Sequence, residues 1–272
     1  MNIYGKIERF VVPDVVLASW RGRDNMRKFA SVSTPCKAGC RYCFAKWSNL
    51  YKRPEPLLDR DIMDTEEIIL YPSCDGEFFD QDEIIKKIKH YSKSRKKVYV
   101  SLSCKVEPTD EQLLQLEKLD KWLRDENKGF VKFAISLSCR TRLSEIEPGT
   151  MTYEERLNLA RRAYNLGIAT SLTIKPILPF ISADEYISII YDFKKYLSHV
   201  LVGGLYVDRK SQFYNEYLSK YPCVKREVNW IEGRPEWDYI ESKDTIDKIK
   251  HESQKWGIMV FDSDAELVIN MR

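Results

Sequence analysis

From Phe29 to Val207 the chain alternates between short apolar runs and helical segments that open on their own caps. The runs are Phe29 to Val32, Ile68 to Ser73, Val98 to Ser103, Val131 to Ser138, Ile168 to Ile174 and Val200 to Val207. Between them, Asp80–Glu83 and Ser182–Glu185 open helices, and Thr109–Gln112 and Thr152–Glu155 are capping boxes. In a capping box the first side chain accepts from a backbone N–H one turn on, and the second reaches back to the cap. Apolar residues such as Leu113, Leu116, Leu119 and Leu123 then repeat at helical spacing. Strand and helix in strict alternation require parallel pairing through right-handed crossovers. Six strands are too few for a closed eight-stranded barrel. The expectation is an α/β fold, a partial, six-stranded TIM-type barrel or curved open sheet of parallel strands. An N-terminal extension (1–27) and a C-terminal cap or closing element (209–272) flank the barrel (28–208).

In folds of this kind the chemistry gathers at the carboxyl ends of the strands. Cysteines gather there too. Cys36, Cys40 and Cys43 follow the first strand, and Cys74, Cys104 and Cys139 follow the second, third and fourth, each after a serine. Seven cysteines in all, three of them within eight residues, suit metal binding or reactive thiols better than a disulfide framework. Three closely placed thiolates fit a [4Fe–4S] cluster with one iron left open, since full ligation takes four. A zinc knuckle or three unconnected thiols are the competing readings. Zinc needs a fourth Cys or His, and His90, His199 and His251 form no pair near the loop.

A formal charge of +3 does not call for nucleic acid, although a local patch could bind it. The first residues carry no apolar core of signal-peptide length, and no apolar run reaches the length of a membrane span. A cytoplasmic protein without a membrane partner is expected.

The stretch Cys36-Lys-Ala-Gly-Cys-Arg-Tyr-Cys43, with an aromatic residue before the last cysteine, resembles the signature of the radical S-adenosylmethionine superfamily. Within it, residues 28 to 207 are similar to the spore photoproduct lyase-like subgroup. The similarity is carried by Ile135-Ser-Leu-Ser-Cys-Arg140, Glu147-Pro-Gly-Thr150, Glu155-Arg-Leu157 and Lys175-Pro-Ile177. The resemblance implies a partial six-stranded barrel with the cluster loop after its first strand. It implies Cys36, Cys40 and Cys43 as cluster ligands and S-adenosylmethionine as cofactor. It places Tyr42, Lys105, Ser136 and Ser138 against that cofactor, with Ser73, Asp75 and Glu77 toward its amino group. Tyr42 and Cys74 are the candidate catalytic residues, Cys74 as a hydrogen donor. An electron donor such as flavodoxin or ferredoxin is the implied partner. The substrate is left open between nucleotide, small molecule and peptide.

Two departures set this chain apart from the lyase. Pro72 occupies the position of the lyase's donor cysteine, two residues before Cys74. Phe44 stands where the lyase has a second tyrosine, and a phenyl ring cannot relay a hydrogen atom. A repair reaction using Cys74 is therefore the alternative to another radical reaction, and a non-catalytic iron–sulfur or zinc module that senses redox state is the third reading. Other features have bland and sharp readings. Cys104 and Cys139 are small buried residues or rim thiols. The lysines from Lys86 to Lys97 are a solvated helix face. The aromatics from Phe213 to Tyr239 fill the cap's core or stack on a base. Gly203-Gly204 marks a bulge or a close backbone approach.

Overall fold

The computed structural model describes residues 27–29, 38–44, 67–71, 82–94, 97–228 and 235–271. Its main layer is a seven-stranded parallel sheet. In chain order the elements are β1 (Arg27–Phe29), β2 (Glu67–Tyr71), α1 (Asp82–Ser94), β3 (Lys97–Cys104), α2 (Asp110–Asp125) and β4 (Gly129–Ser136). There follow α3 (Leu143–Ile146), α4 (Tyr153–Asn165), β5 (Ala169–Ile174), α5 (Ala183–Phe193), β6 (His199–Val202) and β7 (Leu205–Val207). The chain ends with β8 (Val224–Glu227), β9 (Glu236–Ile240), α6 (Lys243–Gln254), β10 (Met259–Phe261) and α7 (Asp264–Asn270).

Strands β1 to β6 lie side by side in sequence order and β10 adds itself beside β6, all parallel. Among the described residues β1 and β10 are not paired, so the barrel is partial. The first expected strand overlaps β1 only at Phe29, and the rest of that run lies outside the described residues. Both Thr capping boxes form: Thr109 accepts from Gln112 N and Thr152 from Glu155 N, with the reciprocal bonds in place. Ser182 also caps α5, accepting from Glu185 N, while the Glu185 carboxylate turns to Arg140 N and Thr141 N instead of back to the cap.

Side chains alternate across a strand, so each strand feeds two faces. The outer face of β3 and β4 presents Val98, Val100, Leu102 and Cys104, then Val131, Phe133 and Ile135, all fully buried in the main core with α2, α4 and α5. The lysine-rich face of α1 is solvated at Lys86 and Lys93, while the Lys89 ammonium lies 5.3 Å from the Trp122 ring. The inner face carries a smaller cluster of Ile69, Tyr99 and Phe130, closed by Ala265 and Val268 of α7.

Two expectations change. The run from Val200 to Val207 is two strands, not one, because Gly203-Gly204 turns the chain out of the main sheet. A Cβ on Gly204 would come within 2.5 Å of the Ile240 carbonyl and the Tyr239 hydroxyl, so only glycine lets the backbone pass β9 there. Beyond it, β7, β9 and β8 form an antiparallel sheet. The second change is the seventh strand. β10 covers the edge of β6 that would otherwise stand open.

Helix α7 is fastened to the inner face by a buried ion pair. Lys132 Nζ of β4 donates to Asp264 Oδ1, while Ser101 Oγ donates to Asp264 Oδ2 at 2.9 Å and Tyr71 adds its hydroxyl to the same oxygen. Truncating one partner of a buried pair leaves the other charge uncompensated. Asp264→Ala is therefore expected to cost about 3–5 kcal/mol in chemical denaturation. Thr109→Ala, which removes only a cap, should cost about 1 kcal/mol. Equal losses in the two variants would contradict this assignment.

Candidate active site

The cysteine loop sits at the carboxyl end of the sheet, where the end of β3 and the segment 146–151 meet it. Backbone bonds hold it there: Arg41 N donates to Ile146 O at 2.9 Å, and Gly149 N donates to Ala38 O at 3.0 Å. Met151 N in turn donates to Lys105 O at 2.9 Å, tying the same segment to the end of β3. Within the loop Gly39 has φ 67°, a conformation that favours glycine, and Cys43 N donates to Cys40 O at 3.3 Å. Cys40 is buried and Cys43 half-buried.

Glu147 lies beneath the loop, 1% exposed. Its Oε1 accepts from Lys105 Nζ at 2.6 Å and from the Tyr42 hydroxyl. Its Oε2 lies 2.7 Å from Arg156 Nη1, an ion pair between two wholly buried side chains. Arg156 is anchored further: Nη1 donates to Ser136 O at 2.8 Å and Nη2 donates to Thr150 Oγ1. Thr150 Oγ1 donates to Glu147 O at 2.8 Å, closing a turn within Glu147-Pro-Gly-Thr150. Lys105 Nζ also donates to the Tyr42 hydroxyl and lies 3.7 Å from Cys40 Sγ.

The charges follow from these contacts. Burial alone would keep Glu147 protonated, but the adjacent Lys105 and Arg156 outweigh it and hold its pKa down at about 2. Burial disfavours the Lys105 charge as well, yet Glu147 and then Cys40 more than restore it, and its pKa lies above the usual lysine value. Burial, with Glu147 beside it, holds the Tyr42 hydroxyl protonated far above the ordinary tyrosine value. Near neutral pH the site thus carries an ammonium ion against a cysteine sulfur, next to a neutral phenol.

Residues after β7 roof the loop. A short π-helical turn, Tyr214–Leu218, brings Tyr217 and Glu216 to Arg41, whose Nη1 donates to the Tyr217 hydroxyl at 3.2 Å and whose Nη2 donates to Glu216. The guanidinium lies 5.7 Å from the Phe213 ring and 5.2 Å from the Tyr217 ring. Phe213 stands 6.4 Å from Tyr42, and Phe44 packs against Trp237 at 6.0 Å. The aromatic stretch of the cap therefore does more than fill its own core: it packs onto the cysteine loop.

Sequence-predicted residues fall into three groups. Cys40, Tyr42, Cys43 and Lys105 are brought together as described. Ser136 points to the inner face, in register with Thr173, while the fully buried Ser138 lies beside Tyr42 and next to Cys139, its Oγ 3.9 Å from Sγ. Cys36, Ser73, Cys74, Asp75 and Glu77 lie outside the described residues. Among the described residues no three metal-binding side chains converge, and the loop contributes Cys40 and Cys43. Cys104 and Cys139 are fully buried. The Cys104 thiol donates to Val106 O at 2.8 Å, and burial pushes Cys139 up to about 11. Both are structural thiols.

Sequence reasoning assigned no role to Glu147, Arg156, Ser171 or Thr173. Ser171 Oγ and Thr173 Oγ1 are buried on the inner face with no hydrogen-bond partner among the described residues. Cys40 and Cys43, with the Lys105 ammonium 3.7 Å from Cys40 Sγ, are a partial thiol donor set, to which the described residues bring no third metal-binding side chain.

No protein-family model matches the chain, and no curated protein matches it. Solved structures do. A spore photoproduct lyase variant with dinucleoside spore photoproduct has a TM-score of 0.56 at 14% identity, over 95% of this chain and 88% of that one. Spore photoproduct lyase complexed with dinucleoside spore photoproduct has a TM-score of 0.53 at 15% identity, over 95% and 87%. A variant with bound AdoMet and dinucleoside spore photoproduct has a TM-score of 0.53 at 15% identity, over 93% and 86%. This chain shares the α/β partial-barrel fold of spore photoproduct lyase, and the resemblance expected from the sequence is borne out at the level of fold. Among the described residues no helix is long and apolar enough to cross a membrane.

The buried carboxylate gives a prediction with a definite sign. Glu147 has its pKa lowered by folding from about 4.5 to about 2, so its stabilisation is complete above 4.5 and is lost as pH falls toward 2. Glu147→Gln leaves Lys105 and Arg156 without their counter-charge and should cost about 3–5 kcal/mol at pH 7. Urea melts across pH test this: a variant as stable as the parent at pH 7 would contradict it. Cys139, in turn, should resist iodoacetamide at pH 8 in native protein and react only on unfolding, as peptide mass mapping would show.

Proposed function

We propose that this protein is a radical S-adenosylmethionine enzyme. Cys36, Cys40 and Cys43 hold a [4Fe–4S] cluster, and Lys105 holds the carboxylate of S-adenosylmethionine beside it. The observation that carries this is the Lys105 ammonium: it lies 3.7 Å from Cys40 Sγ, is nearly buried, and is kept charged by Glu147. Bound together there, the cluster and cofactor would supply radical chemistry: one electron would cleave the sulfonium S–C5′ bond, releasing methionine and leaving a 5′-deoxyadenosyl radical to abstract a substrate hydrogen atom. The protein's part is placement. Glu147 and Arg156 fix the loop and the end of β3 as one unit, so the cation and the sulfurs keep their spacing. Ser136 and Thr173 offer hydroxyl groups to the cofactor from the inner face. The Arg41–Phe213–Tyr217 roof shields the loop from water. Tyr42, neutral and bonded to Glu147, orients Lys105 from above. Flavodoxin or ferredoxin serves as electron donor.

Anaerobic reconstitution tests the proposal. The expected product is a brown protein with about four irons and four sulfides per chain. With dithionite it releases 5′-deoxyadenosine from S-adenosylmethionine. Zinc in place of iron and sulfide, or a cluster that releases none, would overturn it. Lys105→Ala should retain the cluster and weaken S-adenosylmethionine binding at least tenfold in equilibrium dialysis, a loss of about 1.4 kcal/mol.

A further inference from the structure

The cap meets the cysteine loop through a ring of contacts that closes on Tyr217. Arg41 stands between Cys40 and Tyr42, and its backbone N–H is bonded to Ile146 O at 2.9 Å. Its guanidinium meets two residues of the π-turn: Nη1 donates to the Tyr217 hydroxyl at 3.2 Å, and Nη2 donates to Glu216. The Tyr217 hydroxyl itself donates to Glu145 Oε1, on a carboxylate that Arg142 grips twice, at 2.8 and 2.6 Å. Glu145 precedes Ile146, whose carbonyl holds the Arg41 backbone. The path therefore runs from the loop to α3, to the π-turn and back to the loop. Tyr217 is its hub, with the Arg41 guanidinium 5.2 Å and the Arg142 guanidinium 4.7 Å from its ring.

The π-turn is anchored so that Tyr217 stays at that hub. Ser211 N donates to Asp208 O at 3.0 Å and Ser211 Oγ accepts from Tyr214 N at 3.1 Å, which ties the start of the turn to the end of β7. Ser219 N donates to Tyr214 O, five residues back, at 3.0 Å. That bond admits one residue more than an α-turn would, and such single turns re-aim side chains at functional sites. Phe213 and Leu218 are buried in the main core, and the Phe180 ring packs 5.3 Å from Tyr217. The carboxylate side chains are partly open to water, Glu216 at 35% and Glu145 at 39%, so each ion pair alone contributes little. The phenol does more, because it bonds a charged donor and a charged acceptor at once, and hydrogen bonds to charged groups are the stronger kind.

We propose that Tyr217 and Glu216 are positioning residues: through Arg41 they hold the backbone between Cys40 and Tyr42 in the shape that presents the loop's thiols to a metal. Glu147 fixes the same loop from beneath through Tyr42, and the π-turn fixes it from above through the residue next to it. Loss of this clasp leaves the Glu147 contacts in place but lets the buried Cys40 open to solvent. Calling the metal an iron–sulfur cluster rests on the radical-enzyme reading above, whereas the clasp is read in metal-free protein.

The test is thiol alkylation of the full-length, metal-free protein. Trypsin cuts after Lys37, Arg41 and Lys46, so Cys40 and Cys43 fall in separate peptides and mass mapping reads each rate. Tyr217→Phe keeps the ring between the two guanidinium groups and removes only the hydroxyl. It is expected to speed iodoacetamide labelling of Cys40 about tenfold. Cys139, fully buried and outside the loop, should stay as protected as in the parent. After reconstitution the same variant should start with the parent's iron content and yield it to a chelator about tenfold faster. A role confined to global stability would expose Cys40 and Cys139 together. That outcome overturns the proposal, as does an unchanged Cys40 rate or iron held as long as in the parent. Should Tyr217→Phe not fold, Glu216→Gln, which removes the charge that Arg41 meets at the turn, carries the same comparison. Release of 5′-deoxyadenosine by the parent is scored apart. Faster Cys40 labelling in the variant with no release by the parent sinks the radical reaction and leaves the clasp, whereas release with unchanged labelling sinks the clasp and leaves the reaction.

Discussion

The rim of the barrel depends on one buried carboxylate. Glu147 is shared by Lys105 from the end of β3, Arg156 from α4 and Tyr42 from the cysteine loop. Burial penalises these charges, and the shared anion offsets that cost: Glu147 keeps Lys105 charged against the repulsion of Arg156, and the two cations keep Glu147 ionised. The backbone of the same segment grips the loop at Ala38 and Arg41 and grips β3 at Lys105. Three stretches more than 40 residues apart in the chain are thereby locked into one piece, and a flexible cysteine loop becomes a shaped one.

A second buried pair does the same for the opposite end of the barrel. Lys132 and Asp264 bring the last helix under the sheet, and β10, just before that helix, extends the sheet beside β6. The interior is then bounded below by α7 and above by the loop and its aromatic roof. Between the two, the hydroxyl groups of Ser171 and Thr173 are buried without a partner among the described residues.

Much of the fold was legible because its signals are local. Thr109 and Thr152 announce their helices with residues three places on, and both boxes form as read. The apolar runs of β3, β4 and β5 carry enough burial on both faces to show as near-continuous stretches. The short strand Met259–Phe261 could be seen, but not its seat beside β6, because nothing local chooses one sheet edge over another. Gly203-Gly204 could be read as an interruption, but not as a change of sheet. That needs β9, which arrives more than thirty residues later.

The candidate site divides in the same way. Residue type and spacing alone single out the three cysteines and Tyr42 as candidates, since closely spaced thiols are a local signal that suits metal binding. The roles of Glu147, Arg156 and Asp264 were decided only by tertiary structure. An ionisable side chain in a sequence is a solvated charge until something removes it from water, and only the fold brings Lys105 to Glu147 or Lys132 to Asp264 with water excluded.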